Sequence, residues 1–174
     1  MHTMRILPAL ALAAISALAP AARAQQQAAQ PCIAASTLDD LARAIDQAVS
    51  GPVEMDRSCF RTLFAPNALI TPLTVAADGS TATQPLTVEG WISRVKSAGF
   101  TAFYEHQAKF SSQRFGHLAH LWSTYQIRLT PDGPVKIQGI NSIDALWDGS
   151  RWRIYTLTWL PESPSETLPA DYRP

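Results

Sequence analysis

Cysteine and charge are both scarce in this sequence, and each shortage narrows the classes of protein that it can be. Only two cysteines, Cys32 and Cys59, occur in 174 residues. No histidine or further cysteine stands at ligand spacing to either, which argues against a metal site. Charged residues make up 16% of the chain, and the basic ones are dispersed. A phosphate-binding surface needs clustered Lys and Arg, so we expect no nucleic-acid partner.

Catalytic and cofactor-binding motifs are also absent. The sequence contains no Gly-x-Ser-x-Gly nucleophile elbow, no His-Glu-x-x-His, no phosphate-binding glycine loop and no dinucleotide fingerprint. It therefore predicts no cofactor, and it leaves open whether the chain is an enzyme.

The N-terminus has the layout of a cleavable signal peptide. A positive end with Arg5 precedes an apolar stretch from Ile6 to Ala19, and Ala22-Arg23-Ala24 supplies a small-residue cleavage site. The alternative is a membrane anchor, but 14 apolar residues fall short of the ~20 that span a bilayer. We therefore expect residues 1–24 to be removed, leaving a periplasmic or secreted chain with no membrane span.

An oxidising compartment favours a disulfide between Cys32 and Cys59, with two buried free thiols as the alternative. Residues 25–35 are rich in Gln and Ala and are expected to form a flexible leader, which this bond would attach to the domain.

Residues 36–160 are predicted to form one α+β domain that begins with three helices. Apolar residues recur every three or four positions from Leu38 to Val49, after cap residues that include Thr37, and predict the first helix. The second is expected from about Met55 to Phe64, and the third after the cap Thr87.

One strand is expected between the second and third helices, and after Gly99 the period changes from that of a helix to that of strands. Turn residues at Pro131–Pro134 and Asp148–Ser150 predict antiparallel hairpins. The tail, residues 161–174, contains four prolines and is expected to lie extended on the surface. The expected strands are Ala68–Val75, Ala102–Ser111, Leu118–Thr130, Val135–Trp147 and Arg151–Trp159.

These strands carry apolar residues on both faces. The helices can cover one face, and a wide exposed apolar face is an interaction surface or an aggregation hazard. The pattern therefore predicts a homodimer packed sheet to sheet, with a monomer bearing scattered surface aromatics as the alternative.

Three segments, in this order and spacing, make the region from Leu38 to Trp159 similar to the nuclear transport factor 2-like superfamily and its SnoaL-like bacterial branch. They are Phe64–Ala68, Gly139–Ile143 and Asp148–Ile154. The resemblance implies a cone-shaped α+β fold with three N-terminal helices on a curved, mainly antiparallel sheet, an apolar pocket, and commonly a dimer formed on the sheet. Members include isomerases and cyclases that use a pocket carboxylate as base, and many binding modules without catalysis.

Strand alternation selects the candidate site residues. His106 shares a face with Tyr104, Ala108 and Phe110, and this places His106 and Tyr104 inside, whereas Glu105 groups with Gln107 and Lys109. By the same rule Tyr125 and Asn141 point inward from the next two strands. The predicted ligand-binding residues are therefore His106, Tyr125, Asn141 and Tyr104.

Three functions are compatible with the sequence. The first is an exported protein that binds a small apolar molecule in its pocket. The second is an isomerase, cyclase or hydratase acting on a carbonyl compound through His106 or an acidic pocket residue. The third, a dimerisation module of an envelope assembly, would be favoured by a pocket too small to admit a ligand.

Overall fold

The computed structural model describes residues 30 to 174. The predicted signal peptide, residues 1–24, lies outside the described residues. Residues 31 to 174 form one unit, an α+β domain of three helices and a seven-stranded sheet. Within the described range no helix is both long and apolar enough to cross a bilayer.

The three helices are α1 (Leu38–Val49), α2 (Ser58–Leu63) and α3 (Val88–Lys96). Thr37 caps α1 as predicted, and it forms a capping box in which the Thr37 hydroxyl accepts from the Asp40 N–H and the Asp40 carboxylate accepts from the Thr37 N–H. Thr87 caps α3 as predicted. Helix α2 is shorter than predicted, and its first turn begins only at Ser58.

The sheet has the strand order β1-β4-β5-β6-β7-β2-β3. The predicted antiparallel hairpins β5–β6 and β6–β7 are confirmed, and β4 pairs with β5 in the same way. Strand β2 joins the far side of β7 in parallel. The strands are β1 (Gly51–Pro52), β2 (Phe64–Val75), β3 (Thr81–Thr83), β4 (Ala102–Phe115), β5 (Leu118–Arg128), β6 (Ile137–Trp147) and β7 (Trp152–Pro161).

The helices cover one face of the sheet, which we call the inner face. Its side chains form the core together with Leu41 and Ile45 of α1, and Leu121, Ile143 and Ile154 from three neighbouring strands are fully buried there. The opposite, outer face carries the alternate residues of the same strands.

A β-bulge interrupts the register of β4 between Gln107 and Lys109. A bulge adds one residue to a strand and so reverses which residues point inward beyond it. Phe103 and Gln107 are buried before the bulge, while Phe110 packs on the core after it. The prediction that one alternation runs from Tyr104 to Phe110 is therefore wrong.

The predicted disulfide is present and joins Cys32 to Cys59 of α2, with the two Cα atoms 5.3 Å apart. The residues that follow Cys32 are held against the domain by hydrogen bonds of their backbone groups. The Ile33 N–H donates to Gln47 Oε1 at 2.8 Å, and the Trp152 N–H donates to the Ala35 carbonyl at 2.8 Å.

The C-terminal tail, residues 162–174, packs on the outer face. Leu168 is buried, and the Thr124 hydroxyl donates to the carbonyl of Tyr172 at 2.6 Å. The rings of Tyr172 and Trp122 lie 6.0 Å apart. The tail therefore covers part of the face on which the sequence predicts a dimer.

Candidate functional site

A cavity of about 330 Å³ lies between the helices and the inner face of the sheet. Trp91 of α3 and Phe103 of β4 form an aromatic side of it, and the rim includes Leu129 and Ile137, which are exposed. Half of the remaining lining is aliphatic, and four of the other residues are aromatic. A cavity of this size and character is suited to a small apolar ligand.

A cluster of hydrogen-bonded polar side chains lies against this apolar space. Glu105 Oε1 accepts from Gln107 Nε2 at 2.8 Å and from Asn141 Nδ2 at 3.1 Å, and the Ser123 hydroxyl donates to Gln107 Oε1 at 2.6 Å. Within residues 30–174, Glu105 Oε2 makes no hydrogen bond. One carboxyl oxygen is thus held in place, and the other is available to a ligand.

The environment of Glu105 changes its acidity. Burial raises the pKa of this carboxyl to about 7, against the opposing effect of the hydrogen bonds from Gln107 and Asn141, and the nearby Asp46 charge adds to the rise. Near neutral pH the group is therefore present in both forms, so it can accept a proton or donate one.

Two of the predicted site residues line this cavity. Tyr125 and Asn141 are both buried and face it, as the alternation of β5 and β6 predicts. Burial, with a smaller effect of Glu105, raises the pKa of the Tyr125 hydroxyl. Because its pKa is raised, this hydroxyl stays protonated near neutral pH. It has no hydrogen-bond partner among the described residues, so it can donate to a ligand.

Comparison with known proteins gives structural matches only. No protein-family model matches the sequence, and no curated protein sequence is similar to it. A nuclear transport factor 2-like protein of unknown function from Shewanella baltica superposes with a TM-score of 0.50 at 12% identity, over 72% of this chain and 91% of that one. A Nostoc punctiforme protein of unknown function with a cystatin-like fold gives 0.56 at 11% identity, over 73% and 90%.

A third similar structure is the beta subunit of an inferred aromatic-ring-hydroxylating dioxygenase from Novosphingobium aromaticivorans. It has a TM-score of 0.54 at 16% identity, over 72% of this chain and 87% of that one. The chain has the nuclear transport factor 2-like fold. At these identities the likeness shows the fold and not the function.

The other two predicted residues do not line the cavity of this nuclear transport factor 2-like domain. His106 is 60% exposed, and its Nδ1 lies 2.8 Å from Asp46 Oδ2 at the edge of β4. Tyr104 is half-buried and pairs with Arg128 across the strands. The prediction that both side chains point inward is wrong. Phe110 packs on the core, but the bulge between Gln107 and Lys109 breaks the alternation, so His106 and Tyr104 do not share its face.

Glu105 and Arg94 also line the cavity, although neither is among the residues predicted from the sequence. One signal for Glu105 was available, because it lies two residues after Phe103, and residues two apart on a strand share a face. For Arg94 no such signal exists, since a charged residue near the end of a helix is usually solvated. Only the tertiary placement of α3 over the open side of the nuclear transport factor 2-like fold brings it to the cavity.

Proposed function

We propose that this chain is an exported binding protein for a small, largely apolar molecule, which it holds in the inner cavity. The observation that carries the proposal is an apolar space of about 330 Å³ with a localised polar cluster at Glu105 and Asn141. The Cys32–Cys59 bond supports export, because disulfides persist in oxidising compartments.

The chemistry of the lining supports one mode of binding. Apolar walls stabilise a ligand in proportion to the area that leaves water, about 25 cal/mol per Å². The Tyr125 hydroxyl and Glu105 Oε2 then orient it, since each lacks a partner among residues 30–174 and can bond to a ligand oxygen or nitrogen. The predicted ligand contacts are therefore Tyr125, Asn141 and Glu105, whereas His106 and Tyr104 do not line the cavity and are not included.

Calorimetric titration with N-phenylnaphthylamine, a neutral apolar probe of about 17 non-hydrogen atoms, tests this proposal. At about 0.4 kcal/mol per atom we expect a Kd of roughly 10 to 50 µM. Ala98 lines the cavity and is exposed, so Ala98→Trp should obstruct the cavity and weaken binding at least tenfold, since about 1.4 kcal/mol would be lost.

The matched control is Ser97→Trp, which adds the same side chain at the neighbouring exposed position that does not line the cavity. It should leave the Kd unchanged. Absence of probe binding, or equal binding by the two tryptophan variants, would contradict the proposal.

A second candidate function is general acid/base catalysis on a small carbonyl compound, as in an isomerase, cyclase or hydratase. The observation that favours it is the pKa of Glu105, raised by burial to about 7, together with its unpaired oxygen beside an apolar space. Such a carboxylate can take a proton from the carbon next to a carbonyl, and Tyr125 or Asn141 can donate to the developing oxyanion. Glu105 replaces His106 as the residue proposed for this role.

We also propose that the protein is a homodimer formed through the end of the outer face that the tail leaves uncovered. Four neighbouring strands present residues that are paired in register at this end: Phe115 of β4, Leu118 of β5, Leu146 of β6 and Arg153 of β7. Phe115 is 89% exposed and Leu118 61% exposed, as an apolar interface would require.

Sedimentation should detect this dimer at micromolar concentration as a species of about 33 kDa, scaled from ~110 Da per residue of a compact domain without its signal peptide. Leu118→Glu should give the monomer, because it places two like charges in an apolar contact. Val135→Glu, at an exposed position of the β5–β6 connection, is the control and should remain dimeric. A wild-type protein that sediments as a monomer would refute the dimer.

A further inference from the structure

The cavity lining has an uneven distribution of charge. Its acidic residue is Glu105, and its basic residue is Arg94 of α3, whose Nη1 donates to Gln84 Oε1 at 3.1 Å. An amide oxygen carries no formal charge, so this contact orients the guanidinium without neutralising it.

Most other surface cations of the domain differ in this respect, because a carboxylate lies beside them. Within the described residues no carboxylate lies within 4.0 Å of Arg94, so its positive charge is uncompensated at the cavity. The cations that pair with a carboxylate form the ion pairs Arg43–Asp40, Arg61–Glu89, Lys96–Glu54, Arg151–Asp148, Arg153–Asp148 and Arg173–Glu162.

A second positive charge lies behind the aromatic side of the cavity. The Arg57 guanidinium carbon is 5.8 Å from the centre of the Trp91 ring and 5.7 Å from that of Phe103, and the residue is 2% exposed. Its partners are backbone carbonyls, so it too keeps its full charge in a medium of low dielectric constant.

We infer that the ligand is an organic anion, an apolar body carrying one carboxylate or sulfonate group, whose charged group binds Arg94 while its apolar body fills the cavity. This inference rests on the proposed function and names the ligand class of the same site. A cationic ligand would meet the uncompensated charge of Arg94 and the field of Arg57, and it would lose hydration without an ionised partner whenever Glu105 is protonated.

Two probes with the same ring system separate this inference from general apolar binding. Anilinonaphthalene sulfonate carries a sulfonate that N-phenylnaphthylamine lacks, and calorimetry measures the Kd of each on the full chain. We expect the sulfonate to bind roughly fivefold tighter, the size of a partly exposed charge-assisted contact, and this preference to decline as salt is added.

The decisive variant is Arg94→Gln, with Lys96→Gln as its control. Both remove one positive charge from α3, but Lys96 pairs with Glu54 and does not line the cavity. Arg94→Gln should weaken the sulfonate about fivefold and change the Kd of the neutral probe less than twofold, while Lys96→Gln should change neither.

Each other outcome has a defined meaning. Equal binding of the two probes, or an equal loss for both in Arg94→Gln, would overturn the anion inference and leave the apolar binding function standing. Failure of the sulfonate alone to bind would overturn the anion inference only, whereas failure of both probes to bind would overturn the proposed function together with the inference. Tight sulfonate binding that survives Ala98→Trp would place the anion outside the cavity and also overturn the inference.

Discussion

Replacing Arg57 by methionine is expected to lower the free energy of unfolding by about 3 to 5 kcal/mol. The guanidinium of this buried residue donates to the carbonyls of Ala48 and Val49, at the end of α1, and to that of Pro52. Methionine fills a similar volume but donates nothing, so these acceptors lose their partner at about 1 to 3 kcal/mol for each one that water cannot reach.

The Arg57 guanidinium also supplies a positive charge where α1 lacks one. No basic residue occurs in the last turn of this helix, and its C-terminal carbonyls carry the negative end of the helix dipole. Burial lowers the pKa of Arg57, but an arginine remains protonated at physiological pH.

Urea unfolding of wild type, Arg57→Met and Arg57→Lys measures this effect. The lysine variant keeps the charge but not the fork of donors, so it should lie between the other two. Arg43→Met is the control, because Arg43 is an exposed residue of α1 and its loss should change stability by less than about 0.5 kcal/mol. An Arg57→Met protein as stable as the Arg43→Met protein would show that water replaces the guanidinium at these carbonyls.

Elements fixed by neighbouring residues could be predicted from the sequence. The capping box of Thr37 and Asp40 forms within four residues, and the β6–β7 turn forms because Asp148 Oδ1 accepts from the N–H groups of Ser150 and Arg151. Gly149 has φ of +100°, a backbone angle that glycine adopts without strain. Such signals are local, and they led to the helix and hairpin order of the fold.

Part of the site depends on features that no local signal indicates. Nothing in the residues from Gln107 to Lys109 distinguishes a bulge from a regular strand, and this one extra residue moved His106 out of the expected lining. Arg57 likewise acquires its role only when α1 and α2 are packed together, because its acceptors belong to another element. Tyr125 and Asn141 were located correctly because β5 and β6 have no irregularity between them.

Replacing Glu105 by glutamine is expected to change how stability depends on pH. The pKa of this carboxyl is about 7 in the folded protein, because burial raises it, and near 4.5 when unfolded. Below pH 4.5 both states are protonated and the group costs nothing. As pH rises through 4.5 to 7 the unfolded state loses its proton first, so folding loses stability, by about 3 kcal/mol once the pH exceeds 7.

Glutamine has no such titration, and its amide oxygen can still accept from Gln107 and Asn141. Glu105→Gln should therefore match wild type at low pH and exceed it by about 3 kcal/mol at pH 8 in urea unfolding. Glu54→Gln, at a carboxylate whose side chain is exposed, should show no comparable change between the two pH values. A difference between Glu105→Gln and wild type that is constant with pH would mean that folding does not shift the pKa of Glu105.

The same variant separates binding from catalysis, because the pH series first establishes that it folds. If Glu105 is a catalytic base, wild type should exchange the α-protons of a small cyclic ketone such as β-tetralone for deuterium, and Glu105→Gln should lose a factor of about 10² to 10⁴ in rate. The neutral probe should bind both proteins alike, since apolar contacts supply its affinity. Exchange that is no faster with wild type than with Glu105→Gln would contradict the catalytic function. Glu105 would then be a group that only orients a bound molecule.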